Sequence, residues 1–297
     1  MFFNKTAIIG VGLLGASIAL ALKEKKLTRE IYGCGRQEER LKTACQIGII
    51  DKYSLNYKDL CSDADLIILA TPVGTFRNIV EHITPHLKNG TILSDVGSVK
   101  GSLVYEIENS MPDDAYYVGA HPIAGSEKSG FEAAASSLFD GANCIITPTD
   151  KTNKNALSTI KTLWETLGCN IIILSPQKHD AIFSSISHMP HIIAYALVNT
   201  IGEIDPDFLK YSGRGFIDTT RIAMSSSNLW RDICLLNKEN IITHIEIYKN
   251  NLDKLKSYIE NSSSETLSEE IEKARCLRLA LTKYKEIEES IPTNDDY

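Results

Sequence analysis

The run Gly10-Val11-Gly12-Leu13-Leu14-Gly15 has the spacing of a loop that carries a dinucleotide pyrophosphate. The strand-like run Thr6-Ala7-Ile8-Ile9 precedes it, and the helical stretch Ala16 to Lys23 follows. In that setting Gly10 permits a tight turn, Gly12 lets the backbone approach phosphates, and Gly15 lets the helix close on the strand. The turn at Leu13 and Leu14 offers backbone N–H groups and the positive end of a helix dipole to an anion. The plain alternative is a glycine-rich turn without a ligand. The second strand-like run ends in Gly33-Cys34-Gly35-Arg36-Gln37, where an acid would read the ribose 2′-hydroxyl of NAD. Arg36 either pairs with a 2′-phosphate, which leans the cofactor slightly to NADP, or stacks on adenine and accepts NAD or NADP alike. Thr71-Pro72-Val73 ends another apolar run and is expected beside the cofactor crevice, or else is a proline-stopped turn.

Four further segments collect groups able to bind or move protons. They are Asp95-Val96-Gly97-Ser98-Val99-Lys100, Gly119-Ala120-His121-Pro122-Ile123-Ala124-Gly125-Ser126-Glu127-Lys128-Ser129-Gly130, Ser187-His188-Met189-Pro190-His191, and Asp218-Thr219-Thr220-Arg221-Ile222-Ala223. Ser98 could equally be the N-cap of a helix from Val99 to Asn109. Arg221 taken alone reads as a surface arginine on a helix. His82, His86, His179 and His244 fall on expected helical or loop surfaces and receive no role.

These groups need a frame. Thr6–Ile9, Glu30–Gly33, Leu66–Ala70, Thr91–Ser94, Tyr116–Gly119, Cys144–Ile146 and Ile171–Leu174 are short, largely β-branched runs without polar alternation. Such runs suit strands buried on both faces. Helix-length stretches separate several of them, which predicts a βαβ series and a parallel sheet with right-handed crossovers. After about Ser175 helical periodicity takes over. Ile241, Ile245, Tyr248, Leu252, Leu255 and Ile259 alternate four and three apart and form one apolar stripe. His191 to Ile201 is apolar on nearly all sides and is expected to be deeply buried. A helical half this apolar points to a homodimer, with an internal bundle as the alternative. Asn261 to Ser264 is expected to link to a charged helix ending near Glu289, and Pro292 to Tyr297 to fray. The expected fold is an α/β Rossmann-type parallel-sheet domain over residues 1–175, followed by an all-α substrate and dimerisation domain over 176–297.

The 297 residues carry a net charge of -7, which argues against nucleic acid as the main partner. No apolar run in the sequence reaches the length of a membrane span, and the short start Met1 to Lys5, which leads directly into the first strand-like run, leads us to expect no signal peptide. The seven cysteines show no C-x-x-C spacing, as in a reduced, cytoplasmic protein, and no His/Cys set has zinc-site spacing.

Behind the glycine loop, the four segments resemble the prephenate/arogenate (cyclohexadienyl) dehydrogenase family, over roughly Lys5 to Tyr258. The resemblance implies a Rossmann-type domain followed by a helical dimerisation domain. It also implies oxidative decarboxylation of prephenate to 4-hydroxyphenylpyruvate in tyrosine biosynthesis, with hydride passing to NAD(P). It assigns His121 as the base that accepts the substrate hydroxyl proton, a task suited to a near-neutral pKa. It gives Ser98 a hydrogen bond to that histidine and to the hydroxyl, and gives Arg221 the ring carboxylate. His191 falls near the pyruvyl side chain and goes with use of prephenate over arogenate. Ser126 and Glu127 fall at the pocket, Glu127 as a gate at its mouth. His188 either orients the site or packs between helices, and Trp230 is the candidate to close the pocket from a partner subunit. Two other readings stand beside this one. A β-hydroxyacid dehydrogenase or imine reductase would use a lysine base and have no need of the His-Pro-Ile-Ala-Gly run. A dinucleotide sensor would keep the glycines without needing His121 and Arg221 together.

Overall fold

The apolar runs of the first half become strands because helices cover both of their faces. The computed structural model describes residues 2–125 and 130–290. The first sheet is parallel throughout and comprises β1 (Phe3–Ile9), β2 (Thr28–Cys34), β3 (Lys52–Tyr53), β4 (Leu66–Leu69), β5 (Ile92–Asp95) and β6 (Tyr116–Val118). Its order is β3-β2-β1-β4-β5-β6, the doubly wound arrangement with its switch point between β1 and β4. The connecting helices are α1 (Leu13–Glu24), α2 (Glu38–Gln46), α3 (Tyr57–Cys61), α4 (Phe76–Ile83) and α5 (Gly101–Ser110). Alternate residues of each central strand serve opposite cores. Ile8, Leu66 and Ile68 pack with Ile18 and Leu22 of α1. Ala7, Ile9, Ile67 and Leu69 pack with Phe76 and Val80 of α4 and with Leu103 and Val104 of α5.

The runs at Cys144 and Ile171 leave this sheet, against expectation. Only Gly119 separates β6 from β7 (Ala120–Pro122), so no crossover helix returns the chain to a parallel position. β7 instead pairs antiparallel with β8 (Asn143–Ile146), which pairs parallel with β9 (Asn170–Ile173) across α6 (Lys154–Thr166). β9 is an edge strand. Ile172 and Ile173 are 38% and 49% exposed, so the two-sided burial read from the sequence fails there.

The second half is helical. α7 (Pro176–Phe183) runs through a π-helical turn, Ser184–His188, into α8 (Met189–Ile204). The wide turn, closed by Met189 N–H on the Ser184 carbonyl, precedes Pro190, whose ring has no N–H to give. Continuity across it makes Pro176–Ile204 one helix of 29 residues, long and apolar enough by length and composition to cross a membrane. The sequence shows no such run because histidines, serines and Pro190 interrupt it. Of α8 only Ala194 is buried, so the deep burial expected of His191 to Ile201 is not met within one chain. α9 (Arg214–Thr220), α10 (Ser227–Leu236), α11 (Lys238–Glu260) and α12 (Ser264–Ser290) complete the chain.

The chain forms two compact units, Met1–Ile241 and Ile242–Tyr297. The first holds both sheets and the helices through α10. The second holds the rest of α11 and α12. The α11 stripe begins in the first unit at the buried Ile241, but further along Leu252 and Ile259 are 47% and 64% exposed. All seven cysteines are unpaired, and four of them are buried. The expected frayed end, Pro292 to Tyr297, lies outside the described residues.

Candidate active site

At the switch point, the glycine loop has the conformation its spacing requires. Gly10 adopts φ +105°, and a Cβ there would lie 2.5 Å from the Ala70 carbonyl oxygen. A Cβ on Gly15 would lie 2.1 Å from the Gly10 carbonyl oxygen, so only glycine lets α1 approach β1 this closely. Gly12 has no heavy atom within 4 Å of its Cβ position, leaving its face clear for a phosphate. α1 opens at Gly12 with no side-chain cap and no acid in its first turn, so the Leu13-Leu14 end suits an anion. These residues fit a dinucleotide. Thr71 adjoins Gly10, its amide nitrogen 2.8 Å from that Cβ position. The Thr71 and Thr75 hydroxyls lie 2.8 Å apart and Thr75 donates to the Pro72 carbonyl at 2.7 Å, fixing Thr71-Pro72-Val73 as the turn into α4. Gly35 packs on Leu41, and Arg36 beyond it is exposed.

His121 stands on β7, opposite Ile145 of β8. Its Nδ1 is 2.8 Å from Nε2 of His179, and Nδ1 of His179 is 2.8 Å from Oδ1 of Asp180. His179 was assigned to a surface from the sequence, but it is fully buried, and Asp180 is 2% exposed. Both project from α7, whose buried positions Pro176, His179, Asp180 and Phe183 follow helical spacing. That pattern was readable in the sequence. Phe183 stacks on His179 and contacts His121, with ring centroids 4.5 and 4.9 Å away.

Electrostatics fix how the chain of rings is protonated. Burial, then the neighbouring His179, Lys100 and His188, hold His121 well below the usual histidine range. Burial, with Lys100 and His188, pushes His179 down to about 2. Burial lifts Asp180 to about 6, opposed by the Lys100 and Gly101 N–H groups and the Lys100 charge. At neutral pH Asp180 is therefore ionised and both rings are neutral. Asp180 can only accept, so His179 donates from Nδ1 and accepts at Nε2. His121 then donates from Nδ1, which leaves a lone pair on its Nε2.

Ser98 does not cap α5. The N-cap is Lys100, without a side-chain bond, and Asp180 meets this helix end from α7 through the Lys100 N–H at 2.8 Å. Nor does Ser98 bond His121, whose Nδ1 is engaged by His179. Its carbonyl faces His188, opposing a fall that burial drives to about 4. His188 is 1% exposed, and Asn237 donates to its Nδ1 at 3.1 Å. Its Nε2 makes no bond of normal geometry, which leaves a buried N–H unspent.

His191 Nδ1 donates to the Ser187 carbonyl at 2.9 Å, and its ring stacks on Trp230 at 3.6 Å. Trp230 is 7% exposed and packs into its own chain's core, so it is a wall of this subunit rather than a lid reaching over from a partner. Burial lowers His191, and the Arg221 charge lowers it further. Arg221 itself is exposed. Structure and electrostatics thus link His121, His179, Asp180, His188, His191, Trp230 and Arg221. Ser126 and Glu127 lie outside the described residues. Among the described residues no group of His, Cys, Asp or Glu is arranged to hold a metal ion.

A dinucleotide cradle at the switch point, with the neutral His121 just beyond the carboxyl end of β6, marks a nicotinamide-dependent dehydrogenase. Comparison with known proteins narrows the class. Residues 18–173 match the prephenate dehydrogenase nucleotide-binding domain, and residues 175–273 match the prephenate dehydrogenase dimerization domain. The chain belongs to the prephenate dehydrogenase family. A prephenate dehydrogenase of Bacillus subtilis is 35% identical over 88% of this chain and 71% of its own length. A cyclohexadienyl dehydrogenase of Zymomonas mobilis is 32% identical over 94% of this chain and 96% of its own. A solved prephenate dehydrogenase from A. aeolicus, in complex with hydroxyphenyl propionate and NAD+, superposes with TM-score 0.89 and 38% identity, covering 95% of this chain and 99% of that one.

Proposed function

We propose that this protein converts prephenate to 4-hydroxyphenylpyruvate and CO₂ in tyrosine biosynthesis, with His121 as the base. The observation that carries this is the His121–His179–Asp180 chain, which presents the unprotonated Nε2 of a neutral ring. The bound nicotinamide supplies the hydride acceptor. His121 takes the proton of the C4 hydroxyl as the carbonyl forms. Loss of the ring carboxylate returns its bonding electrons to the ring, and the phenol oxygen regains a proton. Imidazolium forming on His121 is stabilised through Nδ1 by His179 and the ionised Asp180.

The remaining assignments extend this reading. Ser98, just past the end of β5, binds the reacting hydroxyl. Arg221 binds the ring carboxylate. His191, backed by Trp230, and His188 with its unspent N–H meet the pyruvyl end. Ser126 and Glu127 complete the pocket. Gly10, Gly12, Leu13, Leu14, Gly15, Gly35, Arg36, Thr71, Pro72 and Val73 hold the dinucleotide. The exposed Arg36 supports a slight preference for NADP. Residues 1–175 are the dinucleotide domain, and 176–297 form the helical substrate and dimerisation domain. Exposed apolar side chains such as Ile204, at 62%, support a homodimer through that half. The enzyme works in the cytoplasm, without nucleic acid or membrane partners. Purified protein given prephenate and either cofactor should generate absorbance at 340 nm. Folded protein silent with both would overturn the reading.

A further inference from the structure

The segment Asp95 to Lys100 contributes more than Ser98. Lys100 is 1% exposed, and its ammonium pairs with Asp95, itself fully buried at the tip of β5. Asp95 is saturated. It also accepts from the Gly97 N–H at 2.6 Å and from the Tyr117 hydroxyl at 2.6 Å. The amide of the same lysine donates to Asp180 at 2.8 Å. One residue therefore grips two carboxylates, one on the first sheet and one at the end of the histidine chain. A buried ion pair is weak evidence of stabilisation, since desolvation opposes the Coulomb gain. Its placement calls for another explanation.

We propose that Lys100 is a positioning residue of the reaction: it ties the tip of β5 to the His121–His179–Asp180 chain and holds a fixed positive charge beside both rings. This rests on the reading of His121 as the base. A cation there disfavours imidazolium, so His121 rests neutral and ready to accept a proton. Its charge is felt by His121, His179 and Asp180. The thiol of Cys144 on β8 lies in the same field, and its backbone partner is His121. The other titratable groups acting on His121 are His179 from α7 and His188 from the π-turn.

The test pairs Lys100→Met with Asp95→Asn, so that neither partner is left charged and buried alone. Histidine ring signals are followed by NMR against pH without substrate, and kcat and KM are followed against pH with prephenate. In the double variant the His121 midpoint should rise by about one pH unit or more. The acid limb of kcat/KM should rise with it, while KM at pH 8 changes less than about threefold. Lys100→Arg should keep the wild-type midpoint. In the wild type itself the His121 midpoint should lie below the ordinary histidine range, a measurement that needs no variant to fold. A wild-type midpoint near 6.5, or identical midpoints in wild type and double variant, would overturn the proposal. The NMR titration involves no substrate, so inactivity toward prephenate would count against the proposed function and leave this result standing by itself.

Discussion

His121 is identified by a motif, but what suits it to act as a base comes from α7. Its Nδ1 bond to His179, and that ring's bond to Asp180, select the tautomer with a free Nε2. His121→Asn should lower kcat by roughly 10² to 10⁴ with little change in KM, the usual loss for a general base. Turnover near wild type would remove His121 from the mechanism. Asp180→Asn should also act on kcat, because an amide can donate to His179 and reverse the chain's polarity. A change confined to KM would make Asp180 a structural cap of α5 alone. Arg221→Ala should raise KM for prephenate roughly 10- to 150-fold, the value of a lost charge-assisted bond. An unchanged KM would return Arg221 to an ordinary surface role. The sequence revealed His121, His191 and Arg221 through runs long enough to be recognised. His179 and Asp180 sit in no such run, and their importance follows from sharing the buried face of a helix with Phe183.

At the scale of elements, the glycine loop was legible because each glycine answers a separate steric demand. Those demands can be separated by experiment. Gly15→Ala collides with backbone at 2.1 Å and should reduce thermal stability along with cofactor binding. Gly12→Ala meets no protein atom within 4 Å, so the fold should hold while cofactor KM rises at least about tenfold, by intrusion on the pyrophosphate. Circular dichroism melts and cofactor titrations of the two variants decide this. Equal stability loss in both would mean that Gly12 serves packing rather than a ligand. The central strands were equally legible, since apolar runs covered on both faces leave no ambiguity of side. β3 and β7 were not, being two and three residues long and held by pairing rather than by pattern. The uniformly apolar stretch from His191 to Ile201 implied burial, but composition does not say whether the cover comes from the same chain or another.

The whole molecule carries its buried and half-buried histidines as a pH liability. His121, His179 and His188 all have folded pKa values below the unfolded value, near 6.5. As pH falls through 6.5 the unfolded chain takes up protons that these rings refuse, so stability drops from pH 6.5 downward, as far as about 4 for His188 and about 2 for His179. A ring held as low as that of His179 contributes a loss of about 2 kcal/mol by pH 5. Asp180 acts in the opposite sense, since its raised pKa adds stability as pH falls through about 6, but it is one group against three. The Tm should therefore fall by several degrees between pH 7.5 and 5, and a flat or rising Tm would contradict the burial of neutral rings. The most direct test of the account is product stoichiometry. Wild-type enzyme given prephenate should form reduced nicotinamide and 4-hydroxyphenylpyruvate in equal amounts, and folded His121→Asn should form neither at a comparable rate. Reduced cofactor without the aromatic product, or equal rates from both proteins, would contradict it.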